Sequence, residues 1–119
     1  MSELFWIHRL KKHANVSESD FEKNYREILM PMWVKLTGCK NVVLLKALEL
    51  PWSPGSKRDE YDYLWITVWA SKEDHRKFIE KGGTNMPSMK PFWDKINELN
   101  PGELVGSLGP VEIVASART

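Results

Sequence analysis

The chain has 119 residues, 42% hydrophobic and 28% charged, with a formal net charge of +1. This length suits a single domain over residues 1–119, and the balanced charge lacks the excess of Lys and Arg that binding to nucleic acid requires. Six tryptophans are more than a core of this size usually needs, so we expect a function that uses large aromatic rings.

The sequence predicts neither a membrane segment nor a secretion signal. The N-terminal apolar run follows Glu3 and stops at His8, unlike a signal peptide, and the longest other apolar run covers only residues 42–45. A membrane-spanning helix would need about 18 such residues. Cys39 is the only cysteine and cannot form an intramolecular disulfide. We therefore expect a cytoplasmic protein.

The first predicted element is a strand over Leu4–Lys12, in which alternate residues share a face. One face carries Leu4, Trp6, His8 and Leu10. The other face carries Phe5, Ile7 and Arg9. Both faces are largely apolar, so we expect both to be covered.

A helix is predicted next, with Ser17 or Ser19 as its N-terminal cap. Its apolar positions recur at helical spacing and are Phe21, Tyr25, Ile28, Leu29, Met32 and Leu36. Pro31 lacks an amide donor and crowds the preceding turn, so we expect a kink or a restart at residues 30–32. Gly38 is expected to end the helix.

Two strands are predicted after this helix, over residues 41–50 and over Tyr63–Trp69, as an antiparallel hairpin with a turn-rich connection. On the later strand, one face carries Tyr63, Trp65, Thr67 and Trp69. The other face carries Leu64, Ile66 and Val68. On the earlier strand, alternation alone does not decide whether Lys46 or Glu49 points inward.

A second helix is predicted to begin at the cap Ser71, with Asp74 completing a variant of the capping box, and to end at Gly82 and Gly83. We expect its inward residues to be Phe78 and Ile79. A further helical stretch follows, with Ser88 as its cap, Pro91 in its first turn, and a buried row of Phe92, Ile96 and Leu99.

The final strand is predicted to be bulged or bent, because Gly106, Gly109 and Pro110 interrupt it, and to end over residues 111–115. The elements thus follow the order strand, helix, strand, strand, helix, strand. This order predicts an α+β, ferredoxin-like βαββαβ fold, with a four-stranded antiparallel sheet and the helices on one face.

The sequence also suggests which face the helices cover. The residues expected beneath the helices are Phe5, Ile7, Leu64, Ile66 and Val68. The opposite face would then expose a row of aromatic rings, which a monomer does not leave in water. We expect a second copy to cover it, sheet against sheet in a two-fold homodimer, with a mostly apolar cavity between the sheets.

The order of elements, the aromatic strand Tyr63–Trp69 and the segment TVWASKEDHRKFIE (residues 67–80) resemble the dimeric α/β-barrel superfamily. Within it, the chain is most similar to antibiotic-biosynthesis-monooxygenase-type domains, in which a Trp ends the third strand before a Ser-capped helix. The resemblance implies an oxidoreductase-like small-molecule enzyme that needs no metal or flavin. Haem-degrading relatives make haem an alternative ligand, with the Trp corresponding to Trp69 lying against the macrocycle.

The expected site lies on the aromatic face. His8 is its candidate base, because an imidazole accepts a proton near neutral pH, and the resemblance singles out Trp69 as the second catalytic candidate. The residues expected to contact a hydrophobic or aromatic substrate are Trp6, Tyr63, Trp65 and Thr67. The alternatives are a polyketide cyclase or lyase of the same superfamily, and a non-catalytic dimeric ligand-binding or stress-response domain.

The remaining histidines and the cysteine are given structural or solvated roles. His13 and His75 are expected to face water, and Cys39 is expected to be a small buried hydrophobe. The spacing of the three histidines matches no recognised metal site.

Overall fold

The computed structural model of the chain describes residues 2–56 and 61–118. In these residues the elements are β1 (Leu4–Lys12), α1 (Glu18–Asn24), α2 (Met30–Thr37), β2 (Asn41–Lys46), β3 (Tyr63–Trp69), α3 (Lys72–Glu80), α4 (Lys90–Leu99) and β4 (Gly102–Val111). A π-helical segment, Tyr25–Leu29, joins α1 to α2. The predicted loop before β3 falls partly outside the described residues, at positions 57–60.

The four strands form one antiparallel sheet in the order β2-β3-β1-β4. The central strand β1 pairs with β3 on one side and with β4 on the other, and β2 pairs only with β3. This is the α+β, ferredoxin-like arrangement that the order of elements predicts, so the predicted fold class is confirmed. Within the described residues, no helix is both long enough and apolar enough to cross a membrane.

Most predicted helix ends are confirmed. The Ser17 hydroxyl accepts a hydrogen bond from the Asp20 amide at 3.0 Å, and the Ser71 hydroxyl accepts one from the Asp74 amide at 3.1 Å. Gly38 ends α2 with a φ of 73°, the left-handed conformation that glycine adopts without strain. The cap predicted at Ser88 is wrong, because α4 starts after Met89 with no side-chain cap.

The break predicted near Pro31 takes the form of a wider turn. The Met30 amide donates to the Tyr25 carbonyl, five residues back, and regular α-helix resumes at Met30. A proline cannot donate and crowds the carbonyl of the residue four before it, and a π turn removes that conflict without ending the helix.

Two predicted strands are longer than the observed ones. Strand β2 stops at Lys46, although the Ala47 amide still donates to the Asp62 carbonyl at 2.8 Å. Strand β4 ends at Val111, and its register against β1 shifts between Ile7 and His8 and again between Arg9 and Leu10. The predicted irregularity of β4 is therefore confirmed, and the predicted end over residues 111–115 is wrong.

The sequence prediction assigned the two faces of the sheet the wrong way round. The helices cover the face that carries the large rings, namely Leu4, Trp6, His8, Leu10, Tyr63, Trp65, Thr67 and Trp69. Ring pairs join this face to the helices: Phe21 with Tyr63 at 4.4 Å, Tyr25 with Trp65 at 5.5 Å, and Phe78 with Trp69 at 4.9 Å between centroids. We call this side of the sheet the aromatic face.

Side-chain size explains this choice. An aromatic ring removes about 150–250 Å² of surface from water when buried, more than the aliphatic residues on the other side of β3. The helices present rings of their own, including Phe21, Trp33 and Phe92, so the largest groups of both layers meet in one core.

The opposite side, which we call the open face, carries mostly aliphatic side chains. Its residues include Phe5, Ile7, Leu64 and Ile66, all only partly buried, and Leu45, which is 46% exposed. The hydrophobic core of the described residues includes none of these side chains. The face that the helices leave uncovered is thus the one that the sequence prediction had placed beneath them.

Candidate functional site

The three aromatic residues of β3 form a rigid wall beneath the helices. Tyr63 is 2% exposed, Trp65 is 6% exposed and Trp69 is 3% exposed. Trp65 is further held by Trp33, whose ring meets it edge-on at 5.7 Å. These rings belong to the core, so the cavity that the sequence prediction expected between two sheets is not bounded by them.

The polar atoms of this wall have partners within the chain. The Tyr63 hydroxyl donates to the Glu22 carboxylate at 2.6 Å, and burial raises the pKa of this phenol far above its ordinary value. The Trp69 indole N–H donates to the Thr67 hydroxyl at 3.2 Å. Tyr63, Thr67 and Trp69 are therefore fixed in orientation by their own contacts.

Lys46 points toward the helices, which resolves the ambiguity left by the sequence. Its ammonium group pairs with Glu18 at 2.9 Å and with Glu22 at 3.1 Å, and it lines a cleft of about 270 Å³ beside Tyr63. Glu49 lies after the end of β2, where strand alternation no longer applies. Neither charge is buried in the core.

His8 lies at the centre of β1, beside the wall. Its Cα pairs with that of Trp65 on β3, and its ring is 5.8 Å from that of Trp6. Trp6 and His8 are partly exposed, unlike the rings of β3. Partial burial lowers the pKa of the His8 imidazole, so the ring is neutral at pH 7 and able to accept a proton.

His75 belongs to the same cluster, and the prediction that it faces water is wrong. Its ring stacks on Trp6, with centroids 5.9 Å apart and planes inclined by 16°, and meets Trp69 edge-on at 5.2 Å. Burial also lowers the pKa of this imidazole. We call His8, Trp6, His75 and Trp69 the imidazole–indole row.

A sequence signal for His75 exists. His75 and Phe78 are three residues apart on α3 and thus share a helix face, and Phe78 packs on Trp69. His13, in contrast, is a loop residue whose Nδ1 lies 3.1 Å from the Asn100 carbonyl oxygen. The structure brings two of the three histidines together and leaves the third apart.

A cleft of about 490 Å³ lies between the C-terminal end of α2 and α3. Its apolar lining includes Leu36, Trp69, Phe78 and Met86. Its polar lining includes Asp74, Lys77, Lys81 and Ser88. Trp69 is the only predicted site residue that lines it, so this cleft and the imidazole–indole row share one indole.

The described residues offer no evident site for a resident metal or haem. They contain no group of three His, Cys, Asp or Glu side chains able to hold a metal ion. The cleft beside Trp69 has no histidine among its described lining residues that would be an axial ligand to haem. Cys39 is buried, as predicted, and burial raises the pKa of its thiol, which disfavours the thiolate.

The sequence matches no protein-family model and no curated protein. Among solved structures, the chain is similar to HapK from Hahella chejuensis, with 13% identity, 98% of this chain and 97% of that chain covered, and a TM-score of 0.62. It is also similar to a dimeric ferredoxin-like protein of unknown function from Thermobifida fusca, with 13% identity, 94% and 90% covered, and a TM-score of 0.51. The chain has a ferredoxin-like fold.

A third ferredoxin-like match is SnoaB, a cofactor-independent oxygenase from Streptomyces nogalater. It is 17% identical, with 99% of this chain and 97% of that chain covered and a TM-score of 0.51. These likenesses agree with the predicted ferredoxin-like fold. They say nothing about which residues act.

Proposed function

We propose that the chain is a small-molecule enzyme resembling a cofactor-independent monooxygenase, acting on an aromatic or polyketide-like substrate. The observation that carries the proposal is the position of the His8 imidazole, which is partly exposed and flanked by Trp6 and the wall residue Trp65. Burial lowers its pKa, which favours the neutral form that accepts a proton. The fold shared with a cofactor-independent oxygenase supports the same class of reaction.

His8 is the proton acceptor in the proposed reaction. A phenolic substrate stacks on Trp6, and His8 takes a proton from it to give an electron-rich anion. The anion reduces dioxygen, so that two hydrogens on the reacting carbon are replaced by one doubly bonded oxygen and the second oxygen leaves as water. The remaining wall residues do not contact the substrate in this proposal. Their role is to keep the wall beside it rigid, and they are Tyr63, Trp65, Thr67 and Trp69.

The test is to incubate the purified protein with an anthrone-type phenol in air and to follow the product and the consumption of oxygen. We expect His8→Ala to lower the rate at least about 100-fold, the usual contribution of a positioned base. His13→Ala, which changes a histidine outside the row, is the matched control and is expected to keep the rate. Equal rates for the protein and for His8→Ala would refute the role of His8.

A cyclase or lyase reaction at the same site is distinguished from a monooxygenase reaction by measuring turnover without oxygen. Turnover of a polyketide-like substrate that persists under nitrogen would replace the monooxygenase with this alternative, since no step would then consume oxygen. The role of His8 as the base would be unchanged.

One observation favours a different class, a dimeric ligand-binding domain without catalysis. The rings of Tyr63, Trp65 and Trp69 fill the space between sheet and helices and leave only Trp6, His8 and His75 partly exposed on the row. Binding of an aromatic ligand with no turnover in air or under nitrogen would support this second candidate.

We further propose that the protein is a cytoplasmic homodimer that buries the open face. The partly exposed side chains of Phe5, Ile7, Leu64 and Ile66 form an apolar, self-complementary surface of the kind that two-fold dimers use. The ferredoxin-like protein of Thermobifida fusca, which has the same fold, is dimeric. In this arrangement the imidazole–indole row of each copy lies away from the interface.

A further inference from the structure

The cleft between α2 and α3 has the size and lining of a site for a small organic molecule. Its volume of about 490 Å³ lies within the range of about 300–1,000 Å³ that small-molecule sites occupy. The buried rings of Trp69 and Phe78 form part of its floor, and their centroids are 4.9 Å apart. An aromatic body is therefore the apolar part of a ligand that this floor would recognise.

The rim of the cleft carries an excess of positive charge. Lys77 in the last turn of α3 and Lys81, which caps that end of the helix, are four residues apart, a spacing at which like charges repel each other. Within the described residues neither lysine forms an ion pair, and Lys77 has only a longer-range attraction to Glu73. Asp74, the one acidic group in the described lining, leaves a net charge of +1 there.

The two lysines of α4 contrast with this pair. Lys90 and Lys95 of α4 each have an acidic partner one turn along the helix, Asp94 and Glu98 respectively. A partner of that kind is missing for Lys81 in the described chain, although it lies beside an open cleft. An anion in the cleft would relieve the repulsion between Lys77 and Lys81, and one negative charge would balance the net charge of +1 on the lining.

We propose that this cleft binds a small aromatic carboxylate, with its ring against Trp69 and Phe78 and its carboxylate between Lys77 and Lys81. The site is distinct from His8 and needs neither oxygen nor a proton acceptor. It therefore does not rest on the proposed function, and a protein without turnover would still bind such a ligand.

The experiment is an NMR titration with 2-naphthoate, using the neutral 2-naphthalenemethanol as its isosteric comparison. We expect saturable shifts of the Trp69 indole N–H and Gly38 amide signals with naphthoate. The double variant Lys77→Gln/Lys81→Gln is expected to weaken naphthoate binding about fivefold, the effect of losing two exposed ion pairs. The alcohol is expected to bind the unchanged protein and this double variant equally. Asp74→Asn removes a negative charge from the lining and is expected to tighten naphthoate binding.

Lys23→Gln/Lys35→Gln is the matched control, since it removes two exposed lysines of α1 and α2 that do not line the cleft. We expect it to change the affinity by less than about twofold. The proposal is overturned if naphthoate gives no saturable shift up to about 5 mM, a very weak affinity. It is also overturned if the two double variants weaken binding equally, or if the shifts centre on His8 and Trp6.

Discussion

The aromatic face and the open face come from the same strands, yet they hold different groups and have different neighbours. On β3 the rings of Tyr63, Trp65 and Trp69 are almost wholly buried, whereas Leu64 and Ile66, between them in sequence, are only partly buried. The helices therefore cover the side of the sheet on which aromatic rings of both layers pack against each other. The helices leave the open face partly exposed.

The largest expected effect follows from removing a ring of the aromatic face. Trp65→Ala deletes an indole that contacts Tyr25 and Trp33, and we expect it to lower the free energy of unfolding by about 3–5 kcal/mol. Leu64→Ala, its neighbour on the open face, is expected to cost about 1 kcal/mol in the same urea titration. Equal losses of unfolding free energy would contradict the difference in burial between the aromatic face and the open face.

A charged substitution on the open face is expected to change the stability less than the loss of a ring does. It is expected to change the oligomeric state. Ile66→Glu places a charge in the centre of the proposed dimer interface, and we expect light scattering to give half the molar mass of the unchanged protein. Ile79 of α3 is 53% exposed, so the prediction that it points inward is wrong. Ile79→Glu introduces the same group there and is expected to leave the mass unchanged. A single-copy mass before any substitution would contradict the dimer.

The smallest expected effect is a pH dependence that originates on the aromatic face. Burial lowers the pKa of His8 and His75, so below pH 6.5 the unfolded chain binds these protons before the folded protein does. The free energy of unfolding should thus be highest above pH 6.5, where both imidazoles are neutral in either state, and should fall as the pH drops toward 5. Denaturant titrations at pH 7.5 and 5 measure this change.

The double variant His8→Gln/His75→Gln provides the control, and we expect it to reduce the loss of stability between pH 7.5 and 5. Glu22 does not interfere in this range. The hydrogen bond from Tyr63 lowers the pKa of its carboxyl, which titrates at a still lower pH. An unchanged pH dependence in the double variant would exclude both imidazoles as its origin.

Most of the fold was predictable because its signals are local. The caps Ser17 and Ser71 and the helix end at Gly38 depend on contacts within a few residues, and each is confirmed. Ser88 failed because it lies inside a short 3₁₀ turn, Pro87–Met89, so that α4 begins after Met89. A serine caps a helix only if its own backbone is extended, as it is at Ser17 and Ser71. The sequence alone does not reveal the backbone conformation of Ser88.

The candidate site was predictable in its members but not in its assembly. Alternation placed His8, Trp6 and Trp65 on one face correctly, since side chains of a strand point to opposite sides in turn. His75 was missed because its partners, Trp6 and Trp69, lie on β1 and β3, far from it in the chain. Helical spacing from Phe78 was the available clue, but spacing identifies a shared face and not what that face contacts.

The sequence by itself determined the order of elements and which residues of each strand lie together, because hydrogen bonding and the two-residue repeat act over short distances. Only the tertiary structure decided that the rings turn toward the helices. Alternation is unchanged if a strand is viewed from its other side, and two apolar faces give no local reason to prefer one. The choice depends on matching the largest side chains of one layer with those of another, which no single segment contains.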